Sequence, residues 1–353
     1  MAEASRYSSI KLVFTDLDGT LYPGAHEEEP VADKPGLMRN MAEVARLEAL
    51  GLPVVPATGN NVGFAQKKML RPSDGTRLRD LSASPGIYCN GALVLGAGGR
   101  EVKCQHVGDF IPGFLEKWLG SAAAGDGAAR PPRHGDIQIA GLGKDHTLFL
   151  RWPGLTSIGE EAGRTFMRAM MIEEGELEWL EPEAFVARAT SVLSLVVLLP
   201  LDWDSAALLS LQVWLHGQGL LSFADASGRL SNGEGNGVVC KHVHVPGIGP
   251  EVDISPAGVN KGSAIVKLLE NTREYLGVEC SADGSQIAVF GDAGNDIELF
   301  GMQRDGTGES LEPLELGYRP AIRVAMPWAN DSLLLSDATE VATVDSVLAK
   351  LGG

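Results

Sequence analysis

Short apolar runs alternate with segments of helical period at both ends of the chain. Ile10 to Thr15 reads as a buried strand, a short apolar run (Leu12-Val13-Phe14) bounded by polar residues. From Pro35 to Leu50 the apolar residues Leu37, Met41, Val44 and Leu47 recur at helical spacing, with Pro35 suited to a first helical position and Gly51 to the end. Pro53 to Ala57 and Ile87 to Cys89 read as a second and third strand. The same grammar returns from Ile254: a helix over Lys261 to Leu276, then strands over Gln286 to Phe290 and Ile322 to Ala325.

The texture between these regions differs. Residues 120–136 and 227–250 are rich in glycine and small residues. Between them lie candidate strands (147–152 and 192–199) and helices (159–173 and 205–216). The chain is expected to be α/β: a Rossmann-like core with a parallel sheet flanked by helices, built from residues 1–95 and 251–353. An α+β domain is inserted over 96–250. A length of 353 residues, 44% of them hydrophobic, suits two cores, and 44 glycines against 6% aromatics suit many tight strand-to-helix turns.

Charge and cysteine content narrow the function. A formal net charge of −17 repels nucleic acid phosphates and anionic membranes. The apolar run from Val192 to Leu201 is too short to span a bilayer, and the segment MAEASRYSSIK has no apolar stretch of signal-peptide type. Cys89, Cys104, Cys240 and Cys280 form no Cys-x-x-Cys pair, so reduced thiols in a cytoplasmic protein are expected. No oligomeric state follows from these features.

Four polar clusters stand just after the expected strands or at helix starts: Asp16-Leu-Asp18-Gly-Thr20, Thr58-Gly59-Asn60, Asn260-Lys261-Gly262 and Gly291-Asp292-Ala-Gly-Asn295-Asp296. In an open parallel sheet, sites form outside the carboxyl ends of the strands, so the fold would gather these clusters. Asp16, Asp18, Asp292 and Asp296 would then bring three or four carboxyls together, a hard oxygen set that suits Mg2+. Thr58, Lys261 and Asn295 add a hydroxyl, an ammonium and an amide. With backbone N–H groups at helix starts, these suit an oxyanion. Acids for Mg2+ beside donors for phosphate describe phosphoryl transfer. Asp16, at the strand end, is the expected nucleophile and Asp18 the general acid and base.

DLDGT, ATG, NKG and GDAGND, in this order, resemble the four motifs of the haloacid dehalogenase (HAD) superfamily, with the spacing of its Cof-like, type IIB branch. YCNGA, EVDISPAGVNKGSAI and VAMPWAND carry the resemblance further, over most of residues 10–95 and 250–350. It implies a Rossmann-like core with a mobile cap, and Mg2+-dependent phosphatase activity on a small phosphorylated metabolite, foremost a sugar phosphate. A phosphomutase on the same scaffold and a non-catalytic phosphometabolite binder are the alternatives. By motif, Asp16 is nucleophile and metal ligand, and Asp18 is acid/base with its backbone carbonyl on the metal. Asp292 binds Mg2+, and Asp296 acts through a metal-bound water. Thr58, Gly59, Lys261 and Asn295 hold phosphate, and Asn60 and Asn90 stand on the substrate side. Family members often carry Arg where this chain has Asn60, and residues 302–320 make a longer connection than the pattern leads one to expect.

Other features have plainer readings. His242-Val-His244 would share one strand face with no third ligand nearby, so an exposed strand is expected rather than a metal site. Glu27-Glu28-Glu29 reads as a solvated loop. Trp118, Trp152, Trp179, Trp203 and Trp214 read as core of the inserted domain.

Overall fold

The computed structural model describes residues 6–24, 33–123, 131, 133–172, 177–223, 233–245, 249–305, 310–315 and 317–352. The acidic run at 27–29 lies outside them, as do the side chains of His242 and His244. The chain divides into two compact units, one of residues 1–104 with 259–353 and one of residues 105–258.

The first unit opens with β1 (Leu12–Thr15), α1 (Pro35–Ala49), β2 (Val54–Pro56) and α2 (Val62–Lys68). Every residue of β1 is buried, as expected for a central parallel strand covered on both faces. Leu37, Met41, Val44 and Leu47 form the buried stripe of α1, and Pro35 stands in its first turn. Next come β3 (Gly86–Tyr88), β4 (Leu93–Leu95) and β5 (Glu101–Cys104), a small antiparallel sheet. β3 touches the main sheet through one parallel bridge, Ala57 to Ile87. This sheet carries the unit past the boundary expected at residue 95, because β5 pairs with β4 rather than opening the insertion.

The inserted unit runs through α3 (Phe110–Ala123), β6 (Gln138–Leu142), β7 (Thr147–Leu150), α4 (Ser157–Ala169), β8 (Leu177–Leu180), α5 (Pro182–Ala187), β9 (Ser194–Leu198) and α6 (Ser205–Gly217). It ends with β10 (Ser222–Phe223), β11 (Gly233–Gly235), β12 (Val238–Val245) and β13 (Gly249–Pro256). Its sheet has eight strands in the order β10-β11-β12-β13-β9-β6-β7-β8. β13 pairs with β12 and β9, so the unit extends to residue 258 and not 250, and Ile254 belongs to it. Trp118, Trp152, Trp203 and Trp214 lie in its core with Phe114, Leu195 and Val197, whereas Trp179 is half-buried.

The chain returns through α7 (Lys261–Leu269) and α8 (Thr272–Leu276) to β14 (Ile287–Gly291), a 3-10 helix over Gly294–Phe300, β15 (Met302–Arg304) and β16 (Leu311–Pro313). β17 (Ile322–Ala325), α9 (Ser332–Asp337), β18 (Glu340–Val341) and α10 (Val344–Leu348) complete the unit. The single helix expected over 261–276 is two helices. Asn271 leaves helical geometry and its side chain accepts from the N–H of Glu274, starting a new helix. The long connection after the fourth motif contains the antiparallel pair β15–β16.

The main sheet has the order β18-β17-β14-β1-β2, and all its pairings are parallel. From β1 the chain moves outward to β2 on one side, and β14 starts the other half. The strand order therefore reverses between β1 and β14, where open α/β sheets bind their ligands. Among the described residues, no helix is long and apolar enough to cross a membrane.

Candidate active site

The register of the two central strands delivers the first acids. Thr15 of β1 pairs with Phe290 of β14, and the N–H of Asp16 donates to the Phe290 carbonyl at 2.9 Å. Asp16 therefore leaves the sheet beside Gly291 and Asp292. The chain then turns tightly, with Gly19 at φ +76° donating to the Tyr22 carbonyl at 2.8 Å. A Cβ on Gly19 would stand 2.2 Å from Oδ2 of Asp292, so this turn requires glycine for space as well as for φ. The indole N–H of Trp328 donates to the Gly19 carbonyl at 2.6 Å, and the Thr20 hydroxyl donates to Oδ1 of Asp292 at 3.0 Å.

The fourth motif folds back on itself. Oδ2 of Asp296 accepts from the N–H of Asp292 at 3.0 Å and of Ala293 at 3.2 Å. The third motif begins α7 with a reciprocal capping box between Asn260 and Ser263. Gly262 lets this helix close on the 3-10 helix, since a Cβ there would meet the Glu298 carbonyl at 2.7 Å. Lys261 is consequently a buried first-turn lysine and not a solvated one. Its Nζ lies 2.5 Å from Oδ1 of Asp16 and 2.6 Å from Oδ1 of Asp296.

Oxygen atoms of Asp16, Asp292 and Asp296 all lie within 4.8 Å of one another. Were all three carboxyls ionised, one ammonium would leave an excess of two negative charges in a largely buried site. Burial, then repulsion from Asp296, holds the Asp16 carboxyl well above its ordinary range. The same two causes push Asp292 up to about 7, although the Thr20 hydrogen bond and Lys261 oppose them. Burial works against the charge of Lys261, but Asp16 and Asp296 outweigh it and raise its pKa. The cluster is thus short of positive charge. Its all-oxygen donors and its excess charge fit a hard divalent cation.

The second motif supplies donors at the end of β2. Thr58 is buried, its N–H donating to the Ile87 carbonyl at 2.8 Å. Its hydroxyl accepts from both the N–H and the side-chain amide of Asn60 at 3.1 Å. Asn61 caps α2, accepting from the Phe64 N–H at 2.9 Å. Gly59 lies against Asn90, which adopts φ +52° and donates its N–H to the Thr58 carbonyl at 3.0 Å.

Asp18 stands apart from the three-acid cluster. Its side chain is 43% exposed, and its two oxygens accept from Lys68 Nζ and from the Asn60 side-chain amide. As a side-chain metal ligand it is therefore not grouped with Asp16, Asp292 and Asp296. Asn295 is half-buried on the first turn of the 3-10 helix. The sequence reading singled out neither Lys68 nor Trp328, and left Thr20 without a role. Thr20 sits inside DLDGT. Lys68 carries no such signal, because Gln66-Lys67-Lys68 looks like the solvated end of a short helix.

Residues 249–306, which hold the third and fourth motifs, match the family model described as haloacid dehalogenase-like hydrolase. The fold is that of solved HAD-type proteins. A protein described as a HAD/COF-like hydrolase from Plasmodium vivax superposes with a TM-score of 0.63 at 15% identity, over 99% of this chain and 97% of that one. The HAD subclass IIB sugar phosphatase BT4131 gives 0.56 at 15% identity, over 96% of each chain. The phosphatase BT1666 from Bacteroides thetaiotaomicron gives 0.57 at 17% identity, over 97% of this chain and 92% of that one. No curated protein matches the sequence.

Proposed function

We propose that the protein is a Mg2+-dependent phosphomonoesterase for a small phosphorylated metabolite, foremost a sugar phosphate, working through an aspartyl-phosphate on Asp16. One observation carries this reading. Asp16 leaves the sheet at its switch point, in contact with Lys261 and beside Asp292 and Asp296. A carboxylate in that place is both a nucleophile and part of a cation site.

In this reading an oxygen of Asp16 attacks phosphorus, and the bond from phosphorus to the ester oxygen breaks. Asp18 gives a proton to the departing alcohol. It then takes one from the water that cleaves the acyl phosphate, releasing inorganic phosphate and restoring Asp16. Lys261 offsets charge on the transferring group while holding Asp16 in place. Thr58, the Gly59 N–H and Asn295 hold phosphate oxygens, with Asn60 and Asn90 toward the rest of the substrate. Asp16, Asp292 and the backbone carbonyl of Asp18 would hold Mg2+, with Asp296 as the further acid of the set. When bound, the ion supplies neutralising charge for the phosphoryl oxygens.

The inserted unit carries none of the four motifs, and substrate selection is assigned to it. The cytoplasm is the proposed compartment, in keeping with four cysteines that form no disulfide. Phosphate release from a panel of phosphorylated sugars, nucleotides and cofactors, with Mg2+ and with a chelator, tests the reading. Mg2+-dependent release from at least one sugar phosphate is expected. An isomerised sugar phosphate without free phosphate would identify a mutase. Binding without turnover of any member would identify a phosphometabolite binder.

A further inference from the structure

We infer that Lys68 is a positioning residue for Asp18, holding its carboxylate out of the cation site and in place for proton transfer. This rests on the phosphatase reading above. Lys68 occupies the last turn of α2, where a lysine side chain ordinarily runs out to solvent. Here it turns inward: the side chain is 7% exposed, and its ammonium pairs with Oδ1 of Asp18 while the Asn60 amide takes Oδ2. Burying an ammonium is costly without a partner, and Asp18 is the partner it meets. The backbone of the lysine is held as well, because Lys34 Nζ donates to the carbonyls of Lys68 and Leu70 at 3.1 and 3.3 Å. That ammonium also sits 5.5 Å from the ring centre of Tyr22, at the end of the turn that carries Asp18.

The charge balance makes this clamp useful. Asp18 is close enough for its charge to act on Asp16 and Asp292. Without Lys68, the Asp18 carboxylate would keep only the Asn60 hydrogen bond to hold it where it stands. Asn60 fixes one oxygen by a hydrogen bond but brings no charge. Lys68 brings the charge and lies outside the three-acid cluster, so the cation site keeps its excess of negative charge.

Lys68→Met, purified as the full chain with Mg2+, tests this with two substrates. A hexose phosphate has a poor leaving group that needs its proton, whereas p-nitrophenyl phosphate has a good one that does not. The expected loss in kcat is about a hundredfold on the hexose phosphate, at least about tenfold more than on the aryl phosphate, with KM little changed. Lys68→Arg, which keeps the charge, should recover part of the loss. In an Asp18→Asn background, Lys68→Met should add little, because both changes remove the same function. Should the methionine variant not fold, Lys68→Gln carries the same readouts. Equal losses on the two substrates, a rise in KM alone, or full additivity with Asp18→Asn would overturn the inference and leave the phosphatase reading intact. A wild-type chain inactive on every phosphate ester would overturn both.

Discussion

Lys261 and Asp16, 245 positions apart in the chain, meet at 2.5 Å in a site where both are almost wholly buried. A contact of this kind is electrostatically strong only because it is dry, and the same dryness makes each partner costly without the other. The ammonium is also shared with Asp296, so one cation serves two acids while a third, Asp292, stands beside them.

Lys261→Met should therefore destabilise the metal-free protein. Breaking a buried ion pair typically costs about 3–5 kcal/mol, and three neighbouring carboxyls are left without a cation. Excess Mg2+ should restore more of the loss in the variant than it adds to the wild type, because the variant site holds more uncompensated charge. Thermal unfolding with chelator and with Mg2+ reads both effects. Equal melting temperatures for the two proteins in chelator would show that the pair contributes nothing.

The acid cluster also sets a pH dependence. In the metal-free fold Asp292 keeps its proton up to about 7, against an ordinary value of 3.8 in the unfolded chain. The folded state holds the extra proton between those limits. This group's contribution is fully present below 3.8, is lost as pH rises through about 7, and is level above that. A divalent ion requires the ionised carboxylate, so it displaces the proton and binds more tightly as pH climbs through the same range. The Mg2+-induced rise in melting temperature should be larger at about pH 8 than at about pH 5.5. A rise independent of pH would remove Asp292 from the cation site.

Gly19→Ala should damage the site without touching a charged group. The new methyl would need φ +76° and would collide with Oδ2 of Asp292 at 2.2 Å. The strained backbone alone should cost at least about 1 kcal/mol. Relief by displacing Asp292 should weaken Mg2+ binding, measurable by calorimetry. Unchanged stability and unchanged Mg2+ affinity would mean that the turn accommodates a side chain at this position.

The sequence made much of this site legible because its signals are local. Asp16 and Asp292 each follow an apolar run, and Lys261 follows a capping residue at a helix start. A parallel sheet brings strand ends together whatever lies between them. The contacts that local patterning does not encode are tertiary. Nothing near Lys68 in the chain shows that the end of α2 faces Asp18, and nothing near Trp328 shows that it reaches Gly19. The boundaries of the inserted unit were displaced for a related reason. Whether β5 and β13 belong to one unit or the other depends on which strand each pairs with, and apolar patterning does not encode partners. The break at Asn271 is the reverse case. A local capping side chain interrupts an otherwise continuous apolar stripe, and the stripe hid it.

Comparing Asp16→Asn with the wild type in Mg2+-dependent release of phosphate from an aryl phosphate tests the central claim most directly. Loss of the attacking carboxylate should slow turnover by at least about a thousandfold, with the protein still folded and its Mg2+ affinity reduced. Turnover by Asp16→Asn at the wild-type rate would contradict the assignment of Asp16 as the nucleophile and, with it, the reaction proposed for this site.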